Sequence, residues 1–384
     1  MYLITFLYSL VANFAHPVTP TFIQNLQLHS YMFGVAFACM STTNFLFSPF
    51  WGKLAKNVSY TTIYATCFIG YGIGQAIFGL ATTEFMIAFG RLFAGFFIGG
   101  ITVIQILYIM EYSEEGKSGS NLAFNVTLNV VTGAFGYMIG GLLGDISIPL
   151  TFAAQVAGLI SLGVLTWLIL GDTREKETMD TKELLRESNP FKAILDAKSI
   201  ITLSIVLFLT VSVCTSFAST CYDQCFNYFI KDQFGFKPSY NGLLKAAVGM
   251  ITLVANGTIC TFLMKNTDIR KSIIGVLGMC AGMLVLVTIT NQVIPFIIIN
   301  LIMFGFNAIY QPMLQSTISL LKVRDKGTLV GIFNSMRSLG NVGGSLFAGF
   351  IYDTGPRLSF VFSATAFFIA MMAAVIFAKR ECHQ

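Results

Sequence analysis

The chain has 384 residues, of which 55% are hydrophobic and only 11% are charged, and its formal net charge is +5. A soluble protein of this size needs far more charge to cover its surface. This composition, with a mean hydropathy of +0.74, excludes the soluble globular classes and predicts a polytopic membrane protein. The positive charge does not indicate a nucleic-acid partner, because most basic residues lie between apolar runs.

Charged or turn-rich breaks divide the chain into twelve apolar runs, and a helix needs roughly 20 such residues to cross a bilayer. A helix satisfies its own backbone hydrogen bonds in lipid, so we predict an all-α membrane protein with twelve transmembrane helices. The first run lacks the charged start and cleavage site of a signal peptide, and we expect it to be retained. The runs are 3–23, 31–51, 61–81, 85–109, 121–144, 148–170, 199–229, 240–264, 271–290, 293–321, 327–351 and 357–378.

Basic residues are distributed unevenly between the loops on the two sides of the predicted membrane. Seventeen of the 23 lysines and arginines lie in one alternate set of loops and the C-terminal tail, three lie in the opposite set, and three lie inside runs. Cytoplasmic loops are rich in Lys and Arg. We therefore predict a multi-pass protein of the cell (plasma) membrane with both termini in the cytoplasm.

The longest break between runs is strongly charged and separates the first six runs from the last six. It predicts an N-terminal six-helix bundle over 1–171, a cytoplasmic linker over 172–198 and a C-terminal six-helix bundle over 199–384.

Short segments recur at a fixed spacing in the two halves. "LAKNVSY" begins at Leu54 and "LMKNTDI" begins at Leu263, while Asn125 and Asn334 close similar loops, and both pairs are 209 residues apart. Chance similarity between apolar sequences is the alternative. The repeat predicts two pseudo-symmetric six-helix bundles around a central cavity, a plan used by alternating-access transporters. A channel is less expected, because channels place rings of equivalent groups around one axis.

Two glycine-rich motifs lie in the fourth and fifth runs. "GRLFAGFFIGG" contains Arg91 and Gly95, and "GAFGYMIGG" contains Gly136, Gly140 and Gly141. Together with the twelve runs, these motifs resemble the major facilitator superfamily, and within it the twelve-span drug–proton antiporters of multidrug efflux type. The resemblance implies efflux driven by a proton gradient. The glycines also have a simple packing role, since small residues let helices approach closely.

The sequence departs from the family pattern at two positions. Tyr137 stands where the antiporter signature has proline, and Lys56 in "GKLAKNVSY" stands where the family's loop has aspartate. In the family that loop latches one conformation through charge pairs, so the resemblance implies that the latch here is absent or rebuilt.

Three basic residues lie inside the predicted membrane: Arg91, Lys245 and Arg337. Arg337 is ten residues into its run, roughly 15 Å deep, and a charge there costs at least about 2.5–3.5 kcal/mol. We therefore expect Arg337 to line a substrate site, with a structural ion pair as the alternative. Arg91 and Lys245 lie nearer the ends of their runs, where snorkelling to the interface is the alternative.

Three residues are candidates for proton coupling: Asp223, His16 and Arg91. Histidine changes charge near neutral pH, and His16 precedes Pro17 and Pro20, which should bend the first helix and free backbone carbonyls for binding. His16 is therefore also a substrate-binding candidate. A hydrogen-bonded structural histidine and a plain interface aspartate at Asp223 are the alternatives.

Polar side chains one helical turn apart are further candidates for substrate binding. Asn307, Tyr310 and Gln311 precede Pro312, which should kink their helix, and Asn129 lies one turn after Asn125. Hydrogen bonding between neighbouring helices is the alternative for each pair.

Cofactors and metals are not predicted. Cys221 and Cys225 flank Asp223 in "CYDQC", but three such groups on about one turn are weak evidence for a metal site, and buried thiols are the favoured interpretation. The chain has no Gly-x-x-x-x-Gly-Lys-Ser/Thr loop for ATP, so we expect a gradient, most simply of protons, or another subunit to supply the energy.

These features predict a secondary active transporter rather than an enzyme. Its positively charged interior favours an anionic or amphipathic small molecule, exported in exchange for protons. The alternative is an uptake or exchange carrier for an organic anion or metabolite, and a non-transporting scaffold or sensor is a rival of a different class. The expected partners are the substrate, protons and the lipid bilayer, with no nucleic acid, and we expect a monomer.

Overall fold

The computed structural model describes residues 1–115, 117–171, 202–321 and 326–381. The predicted linker over 172–198 lies outside them. The described residues form helices joined by short turns and no strand. The α-helices are α1 (Tyr2–Ala12), α2 (Thr19–Asn25), α3 (Met32–Asn57), α4 (Tyr60–Gly79), α5 (Glu84–Glu111), α6 (Ser118–Ile146), α7 (Ile148–Ile169), α8 (Leu203–Asp232), α9 (Pro238–Ala255), α10 (Thr261–Asn266), α11 (Ile269–Ile289), α12 (Val293–Leu320), α13 (Lys326–Tyr352) and α14 (Leu358–Glu381).

Each of the twelve predicted runs coincides with helical structure. The first run contains α1 and α2, and the eighth contains α9, a π-helical turn over Asn256–Cys260, and α10. The prediction of an all-α membrane protein is confirmed. It could be made from the sequence because an apolar run and the hydrogen bonds within one helix depend only on residues close together in the chain.

Eight helical segments among the described residues are long and apolar enough to cross a membrane by themselves. The other four runs correspond to α1 with α2, α3, α4 and α13. These helices are short or rich in glycine and hydroxyl or amide side chains. Such helices depend on packing against neighbouring helices for their place in a bilayer.

The first run is interrupted where its prolines lie. Residues 13–18 form turns between α1 and α2, and Pro20 lies in the first turn of α2. The break leaves carbonyl oxygens available to side chains. The Ala12 oxygen accepts a hydrogen bond from Gln155 at 2.7 Å, and the Pro17 oxygen accepts one from Asn241 at 3.4 Å. The predicted bend and the use of freed carbonyls are confirmed.

The described residues form two compact units. The domain boundaries at 171 and 199 stay a prediction, since they fall on or beside residues outside the described part of the chain. The first unit contains 1–32, 39–115, 117–171 and 235–249, and the second contains 33–38, 202–234, 250–321 and 326–381.

In the first unit, glycines bring α6 close to α1. A Cβ added at Gly136 would collide with the Leu10 carbonyl oxygen, and one added at Gly140 would collide with the Phe14 carbonyl oxygen. The signature glycines therefore permit backbone contact of α6 with α1 and with the turn that follows α1.

The second unit uses the same packing between α13 and α8. A Cβ at Gly340 or Gly344 would collide with the backbone carbonyls of Val213 or Phe217, respectively. In each unit, a helix with glycines four residues apart thus packs closely against the first helix of that half of the chain.

Candidate substrate and coupling site

A histidine, a tyrosine and a lysine come together in the first unit. The His16 ring lies in the break between α1 and α2 and stacks on the Tyr137 ring of α6, with centroids 5.3 Å apart and an interplanar angle of 13°. The Lys245 Nζ of α9 lies 5.9 Å from the centroid of the same Tyr137 ring. Tyr137 is therefore a shared aromatic platform for His16 and Lys245.

Arg91 lies beside this group and is buried, with only 3% of its surface exposed. Its guanidinium carbon is 3.8 Å from the Phe78 ring centroid, and its Nη1 donates to the Met40 sulfur at 3.5 Å. Its Nε is buried without a hydrogen-bond acceptor in the described part of the chain. The described residues place no carboxylate within ion-pair distance of Arg91.

The charges in this region act on one another. Both Arg91 and Lys245 interact electrostatically with His16, and Arg91 also interacts with Tyr137. Lys245 is 8% exposed, so both basic residues are packed against protein. We call His16, Tyr137, Lys245 and Arg91 the cationic cluster. Its chemistry suits an anion or the anionic end of an amphipathic molecule, because the cations lie in a low-dielectric interior.

Arg337 lies in the second unit and is half-buried. Its guanidinium carbon is 5.6 Å from the Phe333 ring centroid. With Tyr310 and Gln311 it borders a gap too small for a water molecule, which α8 closes through Ser212 and neighbouring hydroxyl residues. The described residues place no carboxylate within ion-pair distance of Arg337. The structure thus brings three of the predicted substrate-binding residues together.

The neighbouring polar residues of α12 bond mostly within the unit. The Asn307 Nδ2 donates to the Ser219 hydroxyl at 3.0 Å, while its Oδ1 is buried without a donor among the described residues. The Tyr310 hydroxyl donates to the Thr215 carbonyl oxygen at 3.4 Å. Helix α12 continues through Pro312 without interruption.

Asn129 bonds to another helix of the first unit. It accepts a hydrogen bond from the Ser9 hydroxyl of α1. One turn earlier, Asn125 accepts from Thr5 at 3.1 Å and from Gln105 at 3.2 Å. These contacts link α1, α5 and α6, so the structure shows a packing function for both asparagines.

Asp223 is half-buried in α8 of the second unit, next to Tyr222, with which it interacts electrostatically. Its flanking thiols point to backbone acceptors: Cys221 donates to the Ser359 oxygen at 3.6 Å, and Cys225 donates to the Pro356 oxygen at 3.5 Å. The described residues bring no three His, Cys, Asp or Glu side chains into a metal-binding group.

Sequence reasoning missed the aromatic partners of the buried cations. Tyr137 was notable only as a departure from a proline motif, and Phe78 carried no signal. Lys245 was recognised as an intramembrane charge but not as part of a site. A rule that pairs each intramembrane cation with an aromatic residue on a neighbouring run would have nominated both rings.

The helices of membrane-spanning length and the buried basic residues define a polytopic membrane protein with a charged interior. The chain belongs to the Major Facilitator Superfamily, whose profile matches residues 1–342. The predicted resemblance is confirmed. Members of this family are transporters rather than enzymes, so the protein is a membrane transporter.

Curated relatives and solved structures agree with this assignment. Multidrug resistance protein 1 of Bacillus subtilis (strain 168) is 23% identical over 369 residues, covering 94% of this chain and 90% of its own. Quinolone resistance protein NorA of Staphylococcus aureus (strain COL) is 20% identical, covering 92% and 89%. A bacterial homologue of the human lysosomal transporter Spinster, in an inward-facing and unoccupied conformation, superposes with a TM-score of 0.77 at 14% identity, covering 98% and 96%.

Proposed function

We propose that the protein is a secondary active transporter that exports a small amphipathic or anionic compound by alternating access, in exchange for protons. The observation that carries this proposal is Arg91. It is buried in the interior of a transporter with an aromatic ring and a thioether as its described partners, and the described residues place no carboxylate within ion-pair distance.

A buried charge without a counter-ion is costly. An anionic substrate would supply the missing negative charge when it binds, and would be attracted by Lys245 as well as by Arg91. Cations on low-dielectric walls raise the local concentration of anions. The cationic cluster therefore supports an anionic or amphipathic substrate.

His16 supports coupling to protons. Histidine is the side chain whose charge most readily changes near neutral pH, and the His16 ring lies on the same tyrosine as Lys245. Gaining a proton there adds a third positive charge to the cluster, so substrate binding and proton binding at this site must affect each other. We assign Arg91 the role of setting the electrostatic potential around His16. Asp223 stays a candidate for a second proton site.

The remaining predicted residues lie outside the cationic cluster. Arg337, Tyr310, Gln311 and Asn307 form a second polar contact for substrate. Asn129 acts mainly by holding α6 against α1. The names of the relatives, which are resistance proteins for drugs, support export rather than uptake.

A second candidate function is an uptake or exchange carrier for an organic anion. The cationic cluster favours it because a bound anion stabilises the charged form of His16, so that anion and proton would move in the same direction. In that case the proton gradient drives the substrate into the cell.

Everted membrane vesicles distinguish the two, with carboxyfluorescein as the anionic probe and ethidium as a cationic comparison. We expect carboxyfluorescein to accumulate only when the vesicle interior is acid, and nigericin to abolish accumulation. Accumulation driven by an acid exterior would support the anion carrier and overturn export by antiport. Accumulation that needs no proton gradient would overturn proton coupling in either direction.

We also propose that the protein lies in the cell membrane with both termini in the cytoplasm, as a monomer. Cys382 lies in the C-terminal tail and permits a test. A membrane-impermeant maleimide should label the protein in everted vesicles but not in right-side-out vesicles, and Cys382→Ser should remove that label. Labelling of Cys382 only in right-side-out vesicles would contradict the orientation.

A further inference from the structure

An apolar groove runs between α11 and α14 in the second unit, and its volume is about 570 Å³. Small residues open it: Gly278, Ala281 and Gly282 on α11 face Ala364 and its neighbours on α14. A Cβ added at Gly282 would meet no atom within 4 Å. The groove therefore exists because the residues on one face of α11 are small, and leucine or isoleucine at the same positions would fill it.

One face of α14 lines the groove, and a basic residue continues that face. Val361, Ala364 and Phe368 lie along the groove at helical spacing. Arg357 precedes Val361 by four residues, one turn earlier, and therefore lies at the end of the same face. Arg357 is also one of only three basic residues in the loops of the predicted outer side.

The Arg357 guanidinium contacts one residue that lines the groove. Its Nη1 donates to the carbonyl oxygen of Thr288, a lining residue, at 2.8 Å, and its carbon lies 5.9 Å from the Phe229 ring centroid. The described residues place no carboxylate within ion-pair distance of it. Asp353, four residues earlier, is exposed to solvent. The bond to Thr288 is the one hydrogen bond of the guanidinium among the described residues, and a guanidinium carries five N–H donors.

The length of the groove matches one leaflet of a bilayer. Its lining on α11 extends from Gly278 to Ile289, which is roughly 16 Å at the rise of an α-helix. Half of the hydrocarbon core is about 15 Å. Ile289 ends α11 and Leu358 begins α14, so the Arg357 end lies where the predicted spans meet the headgroup region.

We propose that this groove is a binding site for an anionic phospholipid, with one acyl chain between α11 and α14 and the phosphate on Arg357. The apolar stripe excludes a polar occupant, and the basic residue at its interfacial end selects a negatively charged headgroup. Planar guanidinium groups bind phosphate through paired, charge-assisted hydrogen bonds. The site is separate from the cationic cluster and does not depend on the proposed function.

Native mass spectrometry of the full chain in detergent tests the proposal, with phosphatidylglycerol and phosphatidylcholine of identical acyl chains as probes. Gly282→Leu fills the groove. Gly275→Leu is the matched control, because a Cβ at Gly275 also meets nothing within 4 Å but Gly275 does not line the groove. Arg357→Gln removes the headgroup contact and leaves the groove open.

We expect wild type and Gly275→Leu to retain one phosphatidylglycerol with about tenfold preference over phosphatidylcholine. Gly282→Leu should lose that adduct, and Arg357→Gln should bind the two lipids equally. Equal retention by the two glycine variants would overturn the groove as the site. Equal binding of the two lipids by wild type would overturn anion selection, and a protein dimer that Gly282→Leu dissociates would assign the groove to a second copy instead.

Discussion

The burial and the neighbouring side chains of the intramembrane arginine differ between the two units. In the first unit, Arg91 is 3% exposed, with an aromatic ring and a methionine sulfur as its contacts, and it lies near His16 and a second buried cation. In the second unit, Arg337 is half-buried and borders a small gap among hydroxyl and amide groups. Both units nevertheless use the same glycine-to-carbonyl packing between paired helices.

This difference shows that a common framework can hold two kinds of charged site. Packing against glycine fixes the helices, while the aromatic and polar neighbours decide how a cation is stabilised. The first unit concentrates titratable chemistry around Tyr137. The second unit surrounds Arg337 with hydroxyl and amide side chains.

Removing the second unit's cation should have the largest effect on transport. We expect Arg337→Ala to abolish carboxyfluorescein transport in everted vesicles while leaving expression intact, because the substrate loses its charged contact in the second unit. Ser338→Ala is the matched control, since that hydroxyl donates to the Asn334 carbonyl of its own helix. Normal transport by Arg337→Ala would eliminate Arg337 from the site.

Replacing Arg91 in the first unit should reduce transport without reducing stability. We expect Arg91→Met to abolish gradient-driven transport and not to lower the thermal unfolding midpoint, because an apolar side chain of similar length replaces a charge that is costly to bury. Circular dichroism melting of the purified protein measures the second effect. A large drop in the midpoint with transport retained would make Arg91 a structural residue.

The aromatic platform should have an intermediate effect. We expect Tyr137→Leu to reduce transport about tenfold, because loss of ring contacts to His16 and Lys245 costs about 1–2 kcal/mol. Tyr137→Phe keeps the ring and should stay close to wild type. If both variants transport equally, the ring has no part in the site.

Changes to the shared packing should have the smallest effect on transport and act mainly on stability. We expect Gly344→Ala to lower the stability of the second unit by about 1–3 kcal/mol through overpacking. Gly343→Ala should be neutral, because its Cβ would lie 3.6 Å from the Phe217 ring, an ordinary contact. Equal melting temperatures for the two variants would contradict close packing of α13 on α8.

Much of the fold could be predicted because its causes are local. Apolar runs, loop charges and the prolines at 17 and 20 each act within a few residues, and the helices and the break between α1 and α2 follow from them. The kink at Pro312 stays a prediction, because α12 is assigned as one helix through that residue and a helix that is continuous in its assignment can still bend at a proline.

The candidate site was less predictable from the sequence. Depth along a helix correctly indicated that Arg337 needs a polar environment. Depth does not reveal which side chains surround a residue, and nothing in the sequence indicated that Arg91 and Lys245 are buried against protein. The partnership of His16 with Tyr137 joins residues 121 positions apart, and no pattern within either run indicates it.

The most direct test of the first unit's role is the proton flux that accompanies transport. Proteoliposomes loaded with pyranine report their internal pH. The substrate added outside is an organic anion other than carboxyfluorescein, such as benzoylglycine. We predict that His16→Gln abolishes the substrate-induced pH change and that Asp223→Asn retains it at a reduced rate. Loss of the pH change in Asp223→Asn, with a wild-type response in His16→Gln, would contradict the account.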